Sequence, residues 1–363
     1  MIKWRDFDHW LLAATLVLML VGFAMVYSAT RGVEGLERLY IQQIIYGAIG
    51  LGVMLALAAL DYSLLEHFIW PFYALSLLLL VAVLFKGETI YGAQRWLNLG
   101  PITFQPSEPS KVFILIVLAA YFTRLGEKIR EFRYLLVSIV IVAIPVVLIY
   151  LQPDLGTAIV LVVMWAALAW QGGARLSHLG ILGLTGLLLS PLIWFSLKDY
   201  MRKRILLFLN PNLDPGANYN LQQAIIGLGS GGFFGKGFAK GTQGQLQFLR
   251  VRHTDFIFSV IGEELGFAGA VLVLFLLFTV IWRFFLIASK ARDKFGALIA
   301  TGMGVIILFQ VMVNVGMNLR LMPVTGIPLP FISSGGSALL TFLAGEGLAQ
   351  SISMRRKKLD FVP

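Results

Sequence analysis

The feature that most constrains this chain is a series of apolar blocks, each about as long as a membrane-spanning helix. An α-helix rises about 1.5 Å per residue, so roughly 20 residues cross a hydrocarbon core about 30 Å thick. The period-2 alternation of a membrane β-barrel is absent. The sequence therefore predicts an all-α polytopic membrane protein with about ten transmembrane helices, near residues 10–29, 40–60, 64–85, 111–123, 133–151, 156–171, 177–197, 267–288, 296–318 and 333–350.

Composition narrows the possible functions. Of the 363 residues, 58% are hydrophobic and 13% are charged, whereas soluble domains carry about 25% charged residues. The absence of cysteine excludes disulfides, thiol catalysis and zinc-thiolate sites. The net charge of +10 is distributed in short basic runs between apolar blocks, so the expected partners are anionic membrane lipids and not nucleic acid. No P-loop is present, which argues against ATP-driven transport.

The distribution of basic residues predicts the orientation. An even number of spans places both termini on one side, where the short loops and termini carry fifteen Lys and Arg residues, against six on the other side. Both termini are therefore predicted to be cytoplasmic. The long loop at about 198–266 is then extracytoplasmic, with a short helix expected at 220–229. No second domain is evident, so 1–363 is predicted to be one membrane domain. The basic side chains of the loop suggest an anionic ligand such as a diphosphate; they include Arg202, Lys203, Arg204 and Arg250.

Four polar segments are candidates for chemistry. In the first, helical spacing places Asp255, Ser259 and Gly262 on one face, with Asp255 at the start of the helix. Aspartate is a good helix N-cap, so capping and catalysis both remain open for this residue.

The other three segments carry candidate binding residues. Glu108 and Lys111, at the head of the fourth span, share a helix face and form either a binding pair or a local ion pair. Asp154 lies in a tight turn, where capping of the sixth helix is the simpler explanation. The irregular segment 322–337 can present amides and hydroxyls to an anion. Asp255 is thus the predicted catalytic residue, no metal ligand is assigned, and the predicted substrate-binding residues are Glu108, Lys111, Arg95, Asp154, Arg202, Lys203, Arg204, Arg250, Ser333 and Ser337.

Taken together and in this order, the four segments resemble the signature regions of the SEDS family (shape, elongation, division and sporulation proteins). The resemblance spans nearly the whole chain, and residues 324–328 resemble the RodA branch more than the FtsW branch. Ser334 departs from the family, which often has tyrosine there. The matching stretches are 105–111, 152–156, 253–257, 262–266 and 323–330.

The resemblance implies an inverting peptidoglycan glycosyltransferase of the bacterial cytoplasmic (inner) membrane. Such an enzyme polymerises lipid II into glycan strands during cell elongation, on the extracytoplasmic face, and releases polyprenyl diphosphate. Asp255 is then the essential aspartate, and Glu108 and Lys111 line the same central cavity. The resemblance also implies a class B penicillin-binding protein (a transpeptidase) as partner and dependence on a divalent cation, magnesium or manganese.

Three alternatives remain at this stage. They are a lipid II flippase or other transporter, an FtsW-like glycosyltransferase specific to division, and a scaffold that only recruits the penicillin-binding protein. A flippase needs a charged path to the cytoplasmic face, whereas the four polar segments all cluster outside. This asymmetry favours the enzyme.

Overall fold

The structure, a computed structural model, describes residues 4–90, 93–98, 100, 103–242 and 252–356. Short 3-10 helices at Trp4–Asp6, Tyr62–His67, Gly126–Arg130 and Pro211–Leu213 lie between the longer elements. The α-helices of this described part are α1 (His9–Thr30), α2 (Leu39–Ala59), α3 (Ile69–Lys86), α4 (Ser107–Leu125), α5 (Phe132–Leu151), α6 (Leu155–Gly172), α7 (Leu176–Ser196), α8 (Asp199–Leu209), α9 (Pro215–Ser230), α10 (Ile257–Ser289), α11 (Lys294–Asn318) and α12 (Gly336–Met354).

The helices confirm the predicted class of an all-α polytopic membrane protein. Among the described residues, seven helices are long and apolar enough to cross a membrane: α1, α2, α3, α5, α6, α10 and α11. The three remaining predicted spans, 111–123, 177–197 and 333–350, overlap α4, α7 and α12. Each predicted block therefore corresponds to one helix.

Helices α4, α11 and α12 lie in the middle of the bundle, where most of their side chains are buried. Close packing depends on small residues, as is usual between membrane helices. A Cβ added to Gly347 of α12 would lie 2.5 Å from the carbonyl oxygen of Met54 on α2. The two backbones therefore touch directly, and this contact supports one side of the bundle.

A small antiparallel sheet, which the sequence did not predict, connects α3 to α4. Its strands are β1 (Glu88–Ile90), β2 (Ala93–Asn98) and β3 (Thr103–Phe104), in the order β1-β2-β3. Strands of two to six residues are too short to give a clear alternating pattern. The sheet places Arg95 and Trp96 over the end of the bundle.

The long loop contains α8 and α9, and α9 includes the short helix predicted at 220–229. A turn then leads to residue 242, and the chain is described again from residue 252. Helix α10 begins at Ile257 and is interrupted at Gly266, which has φ 70° and ψ −168°. Residues 252–256 therefore stand just before the helix, at the end of the bundle beneath α8 and the sheet.

Candidate functional site

A cavity of about 670 Å³ opens at this end of the bundle, within the size range of small-molecule sites. The side formed by α2 and the residues before it carries no charge, and the charged side chains come from β2, α8 and the segment before α10. Of the described residues that line it, Asp255 is the one carboxylate. The polar and charged lining residues include Gln43, Arg95, Gln105, Tyr200, Arg204, His253, Thr254 and Asp255.

Three charged side chains from three different elements meet around Gly326. A Cβ added to Gly326 would lie 3.9 Å from each of Arg204 Nη1, Arg95 Nη1 and Asp255 Oδ2. The positive φ of +78° at this residue is a conformation that glycine adopts without strain. The site thus combines one carboxylate with two guanidinium groups, which suits a reaction that needs a base and an anion-binding surface.

Backbone carbonyl groups hold both guanidinium groups in place. The Nε atom of Arg95 donates to the Gln152 carbonyl oxygen at 3.3 Å, and its Nη1 lies 3.6 Å from Asp154 Oδ1. Arg204 donates from Nη1 to the Val324 carbonyl oxygen at 3.3 Å. Each arginine therefore has donors left for a ligand, because a guanidinium group carries five N–H bonds.

Asp154 caps α6, as expected, and also pairs with a residue of the site; its predicted role in substrate binding stays a prediction. Its carboxylate caps α6 by accepting from the Thr157 amide at 3.2 Å and from the Thr157 hydroxyl at 3.0 Å. The same carboxylate forms the ion pair with Arg95 and accepts from Gln105 Nε2 at 3.4 Å. Asp154 does not itself line the cavity and acts on it through Arg95.

Two asparagines of α11 fix the backbone at Asp255. The Asp255 carbonyl oxygen accepts from Asn318 Nδ2 at 2.9 Å and from Asn314 Nδ2 at 3.3 Å. The Asn318 Oδ1 atom accepts from the amide of Ser259 at 3.2 Å, which is the bond an N-cap side chain would normally provide. Phe256 occupies the N-cap position of α10 and makes no side-chain cap bond. Asn318 thus caps α10 from a neighbouring helix, so Asp255 is not needed as the cap.

The segment before α12 holds the two preceding residues in the same way. The Ser333 hydroxyl donates to the Thr254 carbonyl oxygen at 2.7 Å, and the Ser334 amide donates to the His253 carbonyl oxygen at 2.9 Å. Ser333 therefore supports the site from behind and is not among the described lining residues. Three consecutive carbonyl groups, at residues 253–255, are each bound by another element.

Burial raises the pKa of Asp255, and the opposing effects of the Arg204 guanidinium, a hydrogen bond from the Thr254 side chain and Arg95 are smaller. A raised pKa makes a carboxylate a stronger base. Burial also lowers the pKa of His253 to about 4, so this imidazole is neutral at pH 7. Asp255 is therefore the better candidate for proton transfer.

Glu108 and Lys111 form a buried ion pair, with Glu108 Oε2 2.8 Å from Lys111 Nζ and both side chains at most 3% exposed. Lys111 Nζ also lies 5.5 Å from the centre of the Phe342 ring. Neither charged residue is among the described residues that line the cavity, whereas Gln105, three residues earlier in the chain, is. The pair therefore lies behind the cavity lining.

The remaining predicted binding residues are more scattered. Arg202 donates to the Trp194 carbonyl oxygen at 2.9 Å, and Lys203 forms an ion pair with Asp214 at 2.5 Å. Ser337 accepts from the Gln105 amide at 2.9 Å and so positions a lining residue. Arg250 lies outside the described residues. The predicted roles of these residues in substrate binding stay predictions.

The donor set near Asp255 does not fit a divalent cation held by protein ligands alone. Mg²⁺ and Mn²⁺ prefer several oxygen ligands, and the described part of the chain contains no group of three or more Asp, Glu, His or Cys residues placed to hold a metal. The nearest charged neighbours of the Asp255 carboxylate around Gly326 are guanidinium groups. The predicted dependence on a divalent cation stays a prediction.

Sequence reasoning missed Asn314, Asn318 and Gly326, although a signal for the asparagines was present. Gln310, Asn314 and Asn318 recur every four residues in an otherwise apolar block, which places their amides on one helix face. Polar side chains inside a membrane segment indicate a functional or structural site by default.

Comparison with known proteins places this chain in a family. The family model of the cell cycle proteins FtsW, RodA and SpoVE matches residues 8–358. The peptidoglycan glycosyltransferase MrdB of Escherichia coli K12 is 37% identical over 355 residues, covering 97% of this chain and 95% of that protein.

Two solved structures are similar to the fold. One is a chain of a peptidoglycan synthase complex that coordinates polymerization and crosslinking, with TM-score 0.81, 33% identity and coverage of 96% of this chain and 98% of that chain. The other is the rod shape determining protein RodA of Thermus thermophilus, with TM-score 0.72, 31% identity and coverage of 98% and 99%.

Proposed function

Because this chain belongs to the FtsW, RodA and SpoVE family, we propose that it is a peptidoglycan glycosyltransferase whose reaction takes place in the cavity around Asp255. The observation that carries the assignment to this cavity is the convergence of Asp255, Arg95 and Arg204 around Gly326. Its substrate is lipid II, a disaccharide joined to a polyprenyl chain through a diphosphate. The wide cavity, uncharged on the side of α2 and cationic on the side of β2 and α8, matches such a molecule.

In the proposed reaction, the Asp255 carboxylate accepts the proton of an acceptor sugar hydroxyl. The hydroxyl oxygen forms a bond to the anomeric carbon of the donor sugar as the bond from that carbon to the diphosphate oxygen breaks. Arg95 and Arg204 stabilise the negative charge that develops on the departing polyprenyl diphosphate. A single displacement inverts the anomeric carbon and requires no covalent enzyme intermediate.

The protein is a multi-pass membrane protein, and the proposed site sits on the extracytoplasmic side of the bacterial cytoplasmic membrane. The excess of basic residues in the short loops on one side supports cytoplasmic termini. The same basic residues can bind the headgroups of anionic lipids. Likeness to a chain of a peptidoglycan synthase complex supports assembly with a class B penicillin-binding protein that cross-links the product. The RodA-like segment 324–328 supports a role in elongation.

The decisive experiment measures glycan polymer made from labelled lipid II by the purified Asp255→Asn variant. Asparagine keeps the size of the side chain and cannot accept a proton at neutral pH, so polymer yield should fall by at least about a hundredfold, the usual contribution of a general base. Because the pKa of Asp255 is raised, ionising this carboxyl costs the folded state free energy, and the neutral variant should melt at the wild-type temperature or above.

The matched control is Asp199→Asn, which makes the same change at a fully exposed carboxylate at the start of α8. It should polymerise lipid II normally. Near-normal yield from Asp255→Asn would contradict the role of general base. A wild-type protein that binds or transports lipid II but makes no polymer would instead be a flippase or a scaffold.

A further inference from the structure

Helix α10 is broken at Gly266, close to the point where its long apolar run begins. In an unbroken helix, the amides of Phe267 and Ala268 would donate to the carbonyl oxygens of Glu263 and Glu264. The break separates these two donors from these two acceptors. Unpaired backbone groups at membrane depth would be strongly destabilising.

Residues 231–237, here called the glycine turn, supply a partner for each of the four separated groups. The turn donates two amides to the acceptors and offers two carbonyl oxygens to the donors. The four bonds run from Lys236 N to Glu263 O at 3.0 Å, from Gly237 N to Glu264 O at 3.0 Å, from Phe267 N to Gly232 O at 2.9 Å and from Ala268 N to Phe233 O at 3.1 Å.

The backbone of the glycine turn packs directly against the backbone of α10. A Cβ on Gly231, Gly235 or Gly266 would overlap backbone atoms of the opposite segment. Lys236 adds an ion pair to the buried carboxylate of Glu263, with Nζ 2.8 Å from Oε1. The glycine turn and α10 therefore pack together as one unit.

The depth of the glycine turn follows from the geometry of α10. Arg283 pairs with Asp8 at the start of α1, so this pair marks one boundary of the membrane. Phe267 precedes Arg283 by sixteen residues, none of them charged, which is about 24 Å of helix. A hydrocarbon core is about 30 Å thick. Phe267 and the turn bonded to it therefore lie inside the leaflet opposite the N-terminus.

The outer surface of the glycine turn is aromatic. Phe233 and Phe234 are 59% and 82% exposed, and Phe267 beside them is 61% exposed. The Phe233 ring centre lies 4.9 Å from that of Phe234 and 5.9 Å from that of Phe267. This patch continues into the exposed apolar side chains further along α10, such as Phe275, which face lipid in a membrane-spanning helix.

We propose that the glycine turn is a re-entrant membrane element whose Phe233 and Phe234 rings lie among the acyl chains of the leaflet opposite the N-terminus. Irregular backbone within a membrane requires internal hydrogen-bond partners, and the broken helix provides them. The turn thereby fixes the depth of residues 257–265, which follow Asp255. The inference stands on the depth and exposure of the turn and does not depend on the proposed reaction.

The chain has no cysteine, so a single nitroxide label can report on the environment of the turn. Phe234→Cys is labelled in the full-length protein and reconstituted into vesicles of phosphatidylethanolamine and phosphatidylglycerol. Power saturation measures collision with oxygen, which concentrates in acyl chains, and with a water-soluble nickel chelate. Lys240→Cys, at an exposed position just beyond the turn, is the matched control.

We expect the label at position 234 to collide more with oxygen than with the nickel chelate and the label at position 240 to show the opposite preference. Equal access of the nickel chelate to both labels would overturn the proposal and would mean that the aromatic patch faces water or awaits a protein partner. Phe233→Cys repeats the measurement one residue away, so failure of one variant to fold does not prevent the test.

Discussion

At the scale of single residues, the position of Asp255 depends on side chains that do not touch the cavity. Asn318 binds the Asp255 carbonyl oxygen through Nδ2 and the Ser259 amide and hydroxyl through Oδ1, the last at 2.6 Å. One buried amide therefore fixes both the backbone of the proposed base and the first turn of the helix that follows it. Such a residue affects the rate by positioning, because errors of about 1 Å in a catalytic group can cost a hundredfold.

We predict that Asn318→Leu lowers kcat with little change in KM. The loss should be tenfold to a hundredfold, about 1–3 kcal/mol for buried polar groups left without a partner. The control is Gln310→Met, two turns earlier on α11, where the side chain is buried and its Oε1 has no partner among the described residues. Steady-state polymerisation kinetics are the measurement. Equal losses in the two variants would indicate general destabilisation of α11 and contradict a positioning role.

We predict that Arg204→Gln moves the acid limb of the pH–activity profile to higher pH. Activity requires the Asp255 carboxylate and is lost as the pH falls through its pKa, which burial raises and Arg204 lowers. Removing the guanidinium raises that pKa further. Lys203→Gln, at the exposed neighbouring residue paired with Asp214, should leave the limb in place. An unchanged limb in Arg204→Gln would mean that another group controls the profile.

Sequence reasoning identified the charged residues of the site and missed the residues that place them. Asp255, Arg95 and Arg204 were all expected, because charged residues in the polar segments between apolar blocks are conspicuous. The meeting point at Gly326 was not predictable, since it depends on a single residue with positive φ in a segment of prolines and glycines. The ion pair between Lys203 and Asp214 was not predicted either, because sequence position alone does not reveal which charged residues meet.

At the scale of elements, the glycine turn and the broken helix α10 stabilise each other. Gly235 has φ +80°, and a Cβ there would overlap the Glu264 carbonyl group. We predict that Gly235→Ala lowers the melting temperature in detergent well beyond the effect of Gly232→Ala. Gly232 also has positive φ, with no atom within 4 Å of its virtual Cβ, so its variant carries only backbone strain of about 1–2 kcal/mol. Similar shifts in both variants would mean that the turn is loosely attached.

The elements that the sequence predicted well are those with a strong local signal. Apolar blocks located the helices because the thickness of a membrane fixes their length. The sheet was missed because pairings such as Leu97 with Phe104 are made by strands of few residues. The predicted span 267–288 begins directly after Gly266, but the broken helix itself was not predicted, because the φ of Gly266 is set by the turn that packs against it.

At the scale of the whole molecule, the proposed orientation has a direct test. Lys128 and Lys240 are both exposed and are expected on opposite sides of the membrane. We predict that Lys240→Cys reacts with an impermeant thiol reagent on intact spheroplasts, whereas Lys128→Cys reacts only after the membrane is opened. Labelling in the reverse order would invert the topology and place the cavity in the cytoplasm.

The bonds to the carbonyl groups of residues 253–255 come from α11 and from the segment that leads into α12. The carboxylate of Asp255 is therefore placed by the alignment of three separate parts of the bundle. A displacement of α11, or of the segment before α12, relative to the start of α10 would move the Asp255 backbone although neither of these bonding groups lines the cavity. The placement of the proposed base is therefore only as firm as the packing of α11 and of residues 333–334 against the start of α10.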